Sequence, residues 1–411
     1  MLASSRLAIA FLQMTSADGD VRVMGWGPYL VLLMSGAAPA ADTPPARQDA
    51  LDLEALVNQQ YAYPERLPNG RFTVPDKLRA EAAAVGTPRD LVRYAERALA
   101  LLADHHAITG ASLKDSWAVF PSFGDLWVER SGAHYVVEAV REDSPAEQAG
   151  IRPGDRLHGI DGISAEKAVA AFWADLGTTG GGERDGYAAR VLAAGRRDRQ
   201  RRLTIGSPLA RPRELLVPNL YSLSAAERPL LSARQHGKDL LIRIHDSLGD
   251  AATIVAFDRA MAQARSGQRI ILDLTDTPSG GNTTVARAML GWFVARPTFY
   301  QMHNLPAEAR QTGIARQWVE QVLPRPGKHH RGRITVRVGR WTGSMGEGLA
   351  IGFAALGARV EGTPMAGLLG AIYDHKLPRS GIVVKLPTER LYAVDGTPRE
   401  KFAPRPVPGR R

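Results

Sequence analysis

The sequence predicts an α/β protein in three successive regions: a helical segment, a compact mostly-β insertion, and a C-terminal half in which strands and helices alternate. Three observations predict it. Within 51–111, Leu91, Val92, Ala95, Ala98, Leu99 and Leu102 recur at helical spacing. Between 118 and 205, short apolar runs are separated by Pro-Gly and Asp-Gly turns. Further on, Ile270-Ile271-Leu272-Asp273-Leu274 has the unbroken apolar character of a parallel strand covered on both faces, with helical patterns before and after it.

The 411 residues suffice for two or three domains with a substantial core, and 44% hydrophobic with 23% charged residues excludes fibrous and broadly disordered classes. The formal charge of +10 comes from scattered Lys and Arg without an aromatic-interleaved stripe, which reads as a solvated basic surface rather than a nucleic-acid face. The chain has no cysteine, so disulfides, thiol nucleophiles and Cys-based zinc sites are excluded. Pro28 to Met34 is an apolar run too short to span a bilayer, and it leads through Gly36-Ala37-Ala38-Pro39-Ala40-Ala41 into polar Asp42-Thr43-Pro44-Pro45. This predicts a signal peptide over 1–41, with translation starting near Val21 to Met24 because Met1 to Asp20 is a polar, acidic lead. An uncleaved anchor is the competing reading. The expected location is exported, periplasmic, and without stable membrane insertion after cleavage.

The helical segment occupies 42–112. Thr87-Pro88-Arg89-Asp90 supplies an N-cap with proline at the first helical position, and the helix is expected to run on to Asp104-His105-His106. Adjacent helical residues diverge, so only one of the two histidines can face a given site. The insertion, 113–208, opens with the strand His134 to Val140. A short capped helix stopped by Gly150 follows, then a Pro-Gly turn, a strand to Ile160, the Asp161-Gly162 turn and a helix over Ala165 to Leu176. Thr178 to Asp185 reads as a flexible glycine-rich loop, and Arg201 to Ile205 as a closing strand.

The region 209–411 alternates strand Leu240 to Ile244, helix Ala251 to Ala264, strand Arg269 to Leu274, a glycine-bearing loop Thr275 to Asn282 and helix Thr283 to Val294. A loop containing Arg310 to His330 precedes the strand Ile334 to Val338, the turn Trp341 to Gly348 and the helical run Leu349 to Leu356. The strand at Val360, a Gly-rich loop Gly362 to Gly370 and β-rich sequence through Val394 complete it. The corner at Ser344 has two readings. A hydroxyl held on a strand-turn-helix corner at a helix N-terminus has nucleophile geometry, with unpaired N–H groups ready for a developing oxyanion. Ser344 and Glu347 equally spell an S-x-x-E capping box.

The stretch SPAEQAGIRPGDRLHGIDG resembles the signature of a PDZ domain, a module that takes an extended peptide by adding it to a sheet edge. With it, in the same order, ILDLTDTPSGGNT and RWTGSMGEGLAIGFAALG resemble the C-terminal processing and tricorn peptidases, serine peptidases with a crotonase-like or ClpP-like core. The resemblance spans about Leu51 to Pro406 and implies that Ser344 is the nucleophile. Processing peptidases carry their base lysine in a TFGKG-like segment; the matching PMAGLLG places Leu368 there, and Lys376 and Lys385 lie on alternating strand patterns. Tricorn-type members use serine, histidine and glutamate instead. Their Asp-x-His pattern falls on Asp104-His105-His106 and selects His106, and their terminal G…E…P segment falls on Gly396, Glu400 and Pro404. The oxyanion donors implied are the N–H of Met345 and of Gly280 or Gly281. The expected activity is a serine endopeptidase acting on polypeptide, with no metal and no cofactor. Two alternatives stand beside it: a non-catalytic polypeptide-binding protein, since TDTPSGG replaces the relatives' RGNGGG-like loop, and a hydratase or acyl-transfer enzyme on the crotonase-like core.

Overall fold

The structure, a computed structural model, describes residues 44–208, 210–223 and 228–407. The expected signal peptide and its cleavage site lie outside the described residues. No described helix is long and apolar enough to cross a membrane.

Three helices, Pro45–Gln60, Asp76–Ala84 and Pro88–Ala100, pack through fully buried Leu53, Val57, Leu78 and Leu91. The third begins as its sequence predicts: Thr87 Oγ1 accepts from Asp90 N at 3.2 Å, and the Asp90 carboxylate accepts from Thr87 N at 3.0 Å. Its end differs from the expectation. The helix stops at Ala100, Ala103 takes a left-handed φ of +48°, and His105 and His106 sit in the turn that follows. Buried Asp104 holds that turn by accepting from His106 N at 2.9 Å.

The insertion is a six-stranded antiparallel sheet. Its order is Leu126–Ser131, His134–Val140, Arg156–Ile160, Arg201–Gly206 and Arg213–Val217, with Ile163–Ser164 beside Arg156–Ile160. The sheet thus continues past 208 to Val217. The expected loop over 178–185 is shorter, because Glu183 already opens the helix Glu183–Ala194.

In the C-terminal half, Arg359–Gly362, Ile334–Val338, Ile270–Asp273 and Asp239–Ile244 lie parallel in that order, with Leu231–His236 antiparallel at the edge. Leu240, Ile242, Leu272 and Val336 have no exposed surface, and Leu349 and Phe353 of the helix Met345–Ala355 pack into the same core. A second sheet runs Ile108–Thr109, Val383–Tyr392, Thr298–Asn304 and Gln317–Val322, with Ala371–Lys376 also against Val383–Tyr392. Part of the expected loop over 310–330 is therefore a strand, and the helix Pro306–Thr312 precedes it. Pairing of Ile108 with Lys385 joins the chain just after His106 to this sheet, which brings the histidine turn to the C-terminal half.

Candidate active site

The strand Ile334–Val338 ends against the Ile270–Asp273 strand, and the corner that follows is fastened to the loop beyond that neighbour. Buried Thr342 donates through Oγ1 to Leu274 O at 2.8 Å, Thr277 N donates to Trp341 O at 2.9 Å, and Gly343 N donates to Thr277 O at 3.1 Å. Held this way, Ser344 adopts φ +49°, ψ −111°, a conformation that costs a non-glycine residue on the order of 1–3 kcal/mol. Its side chain remains partly exposed at the N-terminus of the helix Met345–Ala355. Capping and strain coexist here: the Glu347 carboxylate accepts from Ser344 N at 2.9 Å.

Gly280, at φ +68°, stands directly against the serine. A Cβ on Gly280 would lie 2.4 Å from Ser344 Cβ and 2.9 Å from both Ser344 Oγ and Met345 N. Only glycine leaves the hydroxyl and that N–H open. Gly281 faces elsewhere, its missing Cβ filled by the backbone of Leu248 at 2.1 Å. Among the described residues the N–H groups of Met345 and Gly281 have no backbone acceptor, whereas Gly280 N donates to Thr277 O at 3.3 Å.

His106 is buried, and its Nδ1 lies 2.7 Å from Leu369 O. A carbonyl only accepts, so Nδ1 carries the proton and Nε2 is left as the acceptor, the tautomer a general base needs. Burial first, and the Arg399 guanidinium second, push the His106 pKa down to about 4, so the ring is neutral at pH 7. Beside it, burial pushes Asp104 up to about 6 although the carboxylate accepts from Tyr61 OH at 3.0 Å and from His106 N. Glu400 is half-buried next to Tyr63, whose phenol is raised by burial and then by the Glu400 charge. Glu400 Oε2 is buried without a hydrogen-bond partner among the described residues, and no hydrogen bond joins it to His106.

Ser344 and His106 meet across a shared platform, the loop Gly367 to Gly370. From the serine side Glu347 accepts from Gly367 N at 2.8 Å and Leu368 N at 3.2 Å. From the other side His106 takes Leu369 O, while Arg399 donates to Leu368 O at 2.9 Å and Gly370 O at 2.7 Å. No hydrogen bond links Ser344 to His106 in this arrangement. Burial pushes Glu347 up to about 7 against the opposing pull of Arg399, 3.9 Å away, and of the three N–H groups. Leu368 is buried with Cδ1 over Gly343, Lys376 is exposed on its strand, and Lys385 pairs with Asp374 at 2.7 Å. A cavity of about 270 Å³ lies beside the platform, lined by Asp104, His105, Glu129, Arg190, Gly367 and Leu368 among others.

Arg399 is a site residue that sequence reasoning did not single out; its place beside Glu400 in the terminal segment was the available signal. The inserted sheet also reaches the site. Arg141 donates to Asp276 at 2.7 and 2.9 Å, Trp341 Nε1 donates to Gly124 O at 2.7 Å, and Arg340 pairs with Glu138 at 2.6 Å.

A family model for the PDZ domain matches residues 136–170, inside the inserted sheet. No curated protein matches the chain in sequence. Among solved structures, mature CPAF complexed with lactacystin is similar with a TM-score of 0.54 at 15% identity, over 88% of this chain and 93% of that one. A photosystem II D1 C-terminal processing protease is similar with a TM-score of 0.53, also at 15% identity and over 88% and 93% of the two chains. The chain therefore has the fold of a C-terminal processing protease, built around an inserted PDZ-type sheet.

Proposed function

We propose that the chain is an exported serine endopeptidase that hydrolyses peptide bonds of polypeptides with Ser344 as nucleophile, His106 as general base and Glu400 as the carboxylate serving the imidazolium. The single observation that carries this reading is the corner itself: a strained, partly exposed serine at a helix N-terminus with Gly280 cleared away from both its hydroxyl and the Met345 N–H. Ser344 Oγ attacks the carbonyl carbon as its proton passes to His106 Nε2. The oxyanion is received by Met345 N–H and one of the Gly280 or Gly281 N–H groups. His106 then gives the proton to the leaving amine, and water repeats the cycle on the acyl-enzyme. His106 must first come within hydrogen-bond reach of Ser344, a tightening that peptidase sites undergo when substrate fills them.

The supporting electrostatics are local. Leu369 O already fixes the Nδ1–H tautomer, so neither Asp104 nor Glu400 is needed to select it. A second reading, a polypeptide-binding protein without catalysis, is favoured by the missing Ser344–His106 hydrogen bond and by Leu368 at the base-lysine position. Hydrolysis of an unfolded polypeptide by the purified mature chain separates the two. Wild type cleaves, and Ser344→Ala lowers turnover by about 10³ or more while remaining folded. Binding without cleavage in the wild type selects the second reading.

A further inference from the structure

PDZ domains take extended peptides on a free edge of a sheet, and Leu126–Ser131 is one of the two terminal strands of this order, opposite Arg213–Val217. The chain's own helix Glu183–Ala194 lies along it. Asp185 pairs with Arg130, Gly186 comes so close that a Cβ would lie 3.0 Å from the Glu129 carboxylate, and Arg190 Nη1 donates to Val128 O at 3.3 Å and to Glu129 Oε1 at 2.8 Å. Three consecutive strand residues are engaged by one helix. Val128 O, which Arg190 takes, is a main-chain group an added strand would need.

Arg190 does something else with the same guanidinium. Its Nε donates to His105 Nε2 at 3.0 Å. Tyr187, three residues earlier on the same helix face, stacks on the His105 ring at 4.5 Å and 25°, with Phe120 against it at 4.6 Å. His105 is therefore held by two residues of one helix turn, and it is the covalent neighbour of His106 in a turn without helical support of its own. Any shift of the His105 ring is transmitted through one peptide unit to His106.

We propose that Arg190 is a positioning residue for His106, acting through His105, and that the helix Glu183–Ala194 spends the PDZ-type edge on holding the base turn instead of receiving a peptide there. This rests on His106 being the general base. Arg190 touches neither Ser344 nor the oxyanion donors, so its contribution is the aim of the His106 ring, and a misplacement of about 1 Å at a reacting group costs up to about 100-fold.

The test compares wild type, Arg190→Gln, His105→Phe and His106→Ala in the full mature chain, reading kcat and KM on a short chromogenic peptide. A serine-reactive fluorophosphonate adds the rate at which Ser344 is labelled and the fraction labelled at completion. His105→Phe keeps a ring between Tyr187 and Phe120 but removes the acceptor for Arg190. We expect kcat and the labelling rate to fall by about 10–100-fold in both Arg190→Gln and His105→Phe, with KM within about twofold and the labelled fraction still complete. An Arg190–Glu129 ion pair that only stabilises the fold would instead lower the labelled fraction at an unchanged rate, and that result overturns the proposal. So do rates within about twofold of wild type in both variants while His106→Ala is inactive. An active His106→Ala enzyme removes the general-base reading itself and this inference with it. Should Arg190→Gln fail to fold, His105→Phe decides alone by the same criteria.

Discussion

Replacing Gly280 with alanine adds one methyl group at the point where the structure leaves no room. The new Cβ would sit 2.4 Å from Ser344 Cβ, far inside the 3.5–4.0 Å at which carbon atoms touch, and 2.9 Å from Met345 N. Alanine has no rotamer with which to escape, so the corner must move by about an ångström. Left-handed φ costs an alanine about 1–2 kcal/mol and overpacking about 1–3 kcal/mol, so stability should fall by about 2–5 kcal/mol. The activity loss should be larger in kind. Displacing the nucleophile and covering one oxyanion donor predicts a fall in kcat/KM of about 10²–10³-fold. Gly237 is the control: it has a similar φ of +61° in the turn between Leu231–His236 and Asp239–Ile244, but nothing lies within 4 Å of its missing Cβ. Gly237→Ala should lose only the backbone term and keep full activity. Urea midpoints and kcat/KM on an unfolded polypeptide measure both. A folded Gly280→Ala enzyme within about threefold of wild type, or an equal activity loss in Gly237→Ala, refutes the reasoning.

Three further outcomes follow from the electrostatics. The base works only when neutral, and His106 is held down at about 4, so its own protonation should lower kcat/KM of the free enzyme only as pH drops through about 4; a limb between about 6 and 7 belongs to Asp104 or Glu347 and should go with Asp104→Asn or Glu347→Gln, and one near 6.5 that survives both contradicts this environment. Arg399→Met leaves Leu368 O and Gly370 O without their donor, a loss independent of pH, and leaves the buried Glu347 carboxylate without its cation, which adds at most about 1.4 kcal/mol at pH 8 in denaturant melts because Glu347 then protonates instead. Glu347 has a folded pKa of about 7 against 4.5 unfolded, and loss of Arg399 raises it further, so below about pH 7 the folded group is neutral with or without Arg399, and the charge part of the penalty appears only as pH rises through 7, by about 1.4 kcal/mol per unit; a penalty that does not grow above about pH 7 contradicts the pairing. Glu400→Gln should lower kcat by only about tenfold, since Leu369 O and not Glu400 fixes the His106 tautomer; a loss as large as that of Ser344→Ala would show that Glu400 takes over Nδ1 during turnover.

Much of this site was legible in the sequence because its parts are local. The Ser344 corner is spelled by a strand, small residues and a helix in series, and the two readings of its serine turn out to be compatible: Glu347 caps the helix while the backbone of Ser344 remains strained. The Thr87-Asp90 box, the central parallel strand and the SPAEQAG turn are likewise short-range signals. What escaped depends on contacts between distant segments. Asp104-His105-His106 reads as a continued helix, yet Ala103 turns left-handed and buried Asp104 captures the next turn. Gln317–Val322 alternates weakly and is mostly exposed, so it carries too little apolar pattern to announce a strand. Arg399 lies in the charged run Arg399-Glu400-Lys401, which reads as solvated, and its burial arises only because Glu347, Leu368 and Gly370 converge on it. The helix Glu183–Ala194 is concealed behind the glycine run before it, and nothing local reveals that it lies on a sheet edge.

Covalent labelling decides whether Ser344 is an activated nucleophile or an ordinary helix cap. The mature chain is incubated with a serine-reactive fluorophosphonate at pH 7 and the modified residue is located by peptide mass spectrometry. Stoichiometric modification of Ser344 is expected, none in Ser344→Ala, and labelling slowed by about 10³-fold in His106→Ala. A folded wild-type chain that stays unlabelled at Ser344, or that is labelled equally fast without His106, contradicts an activated nucleophile there.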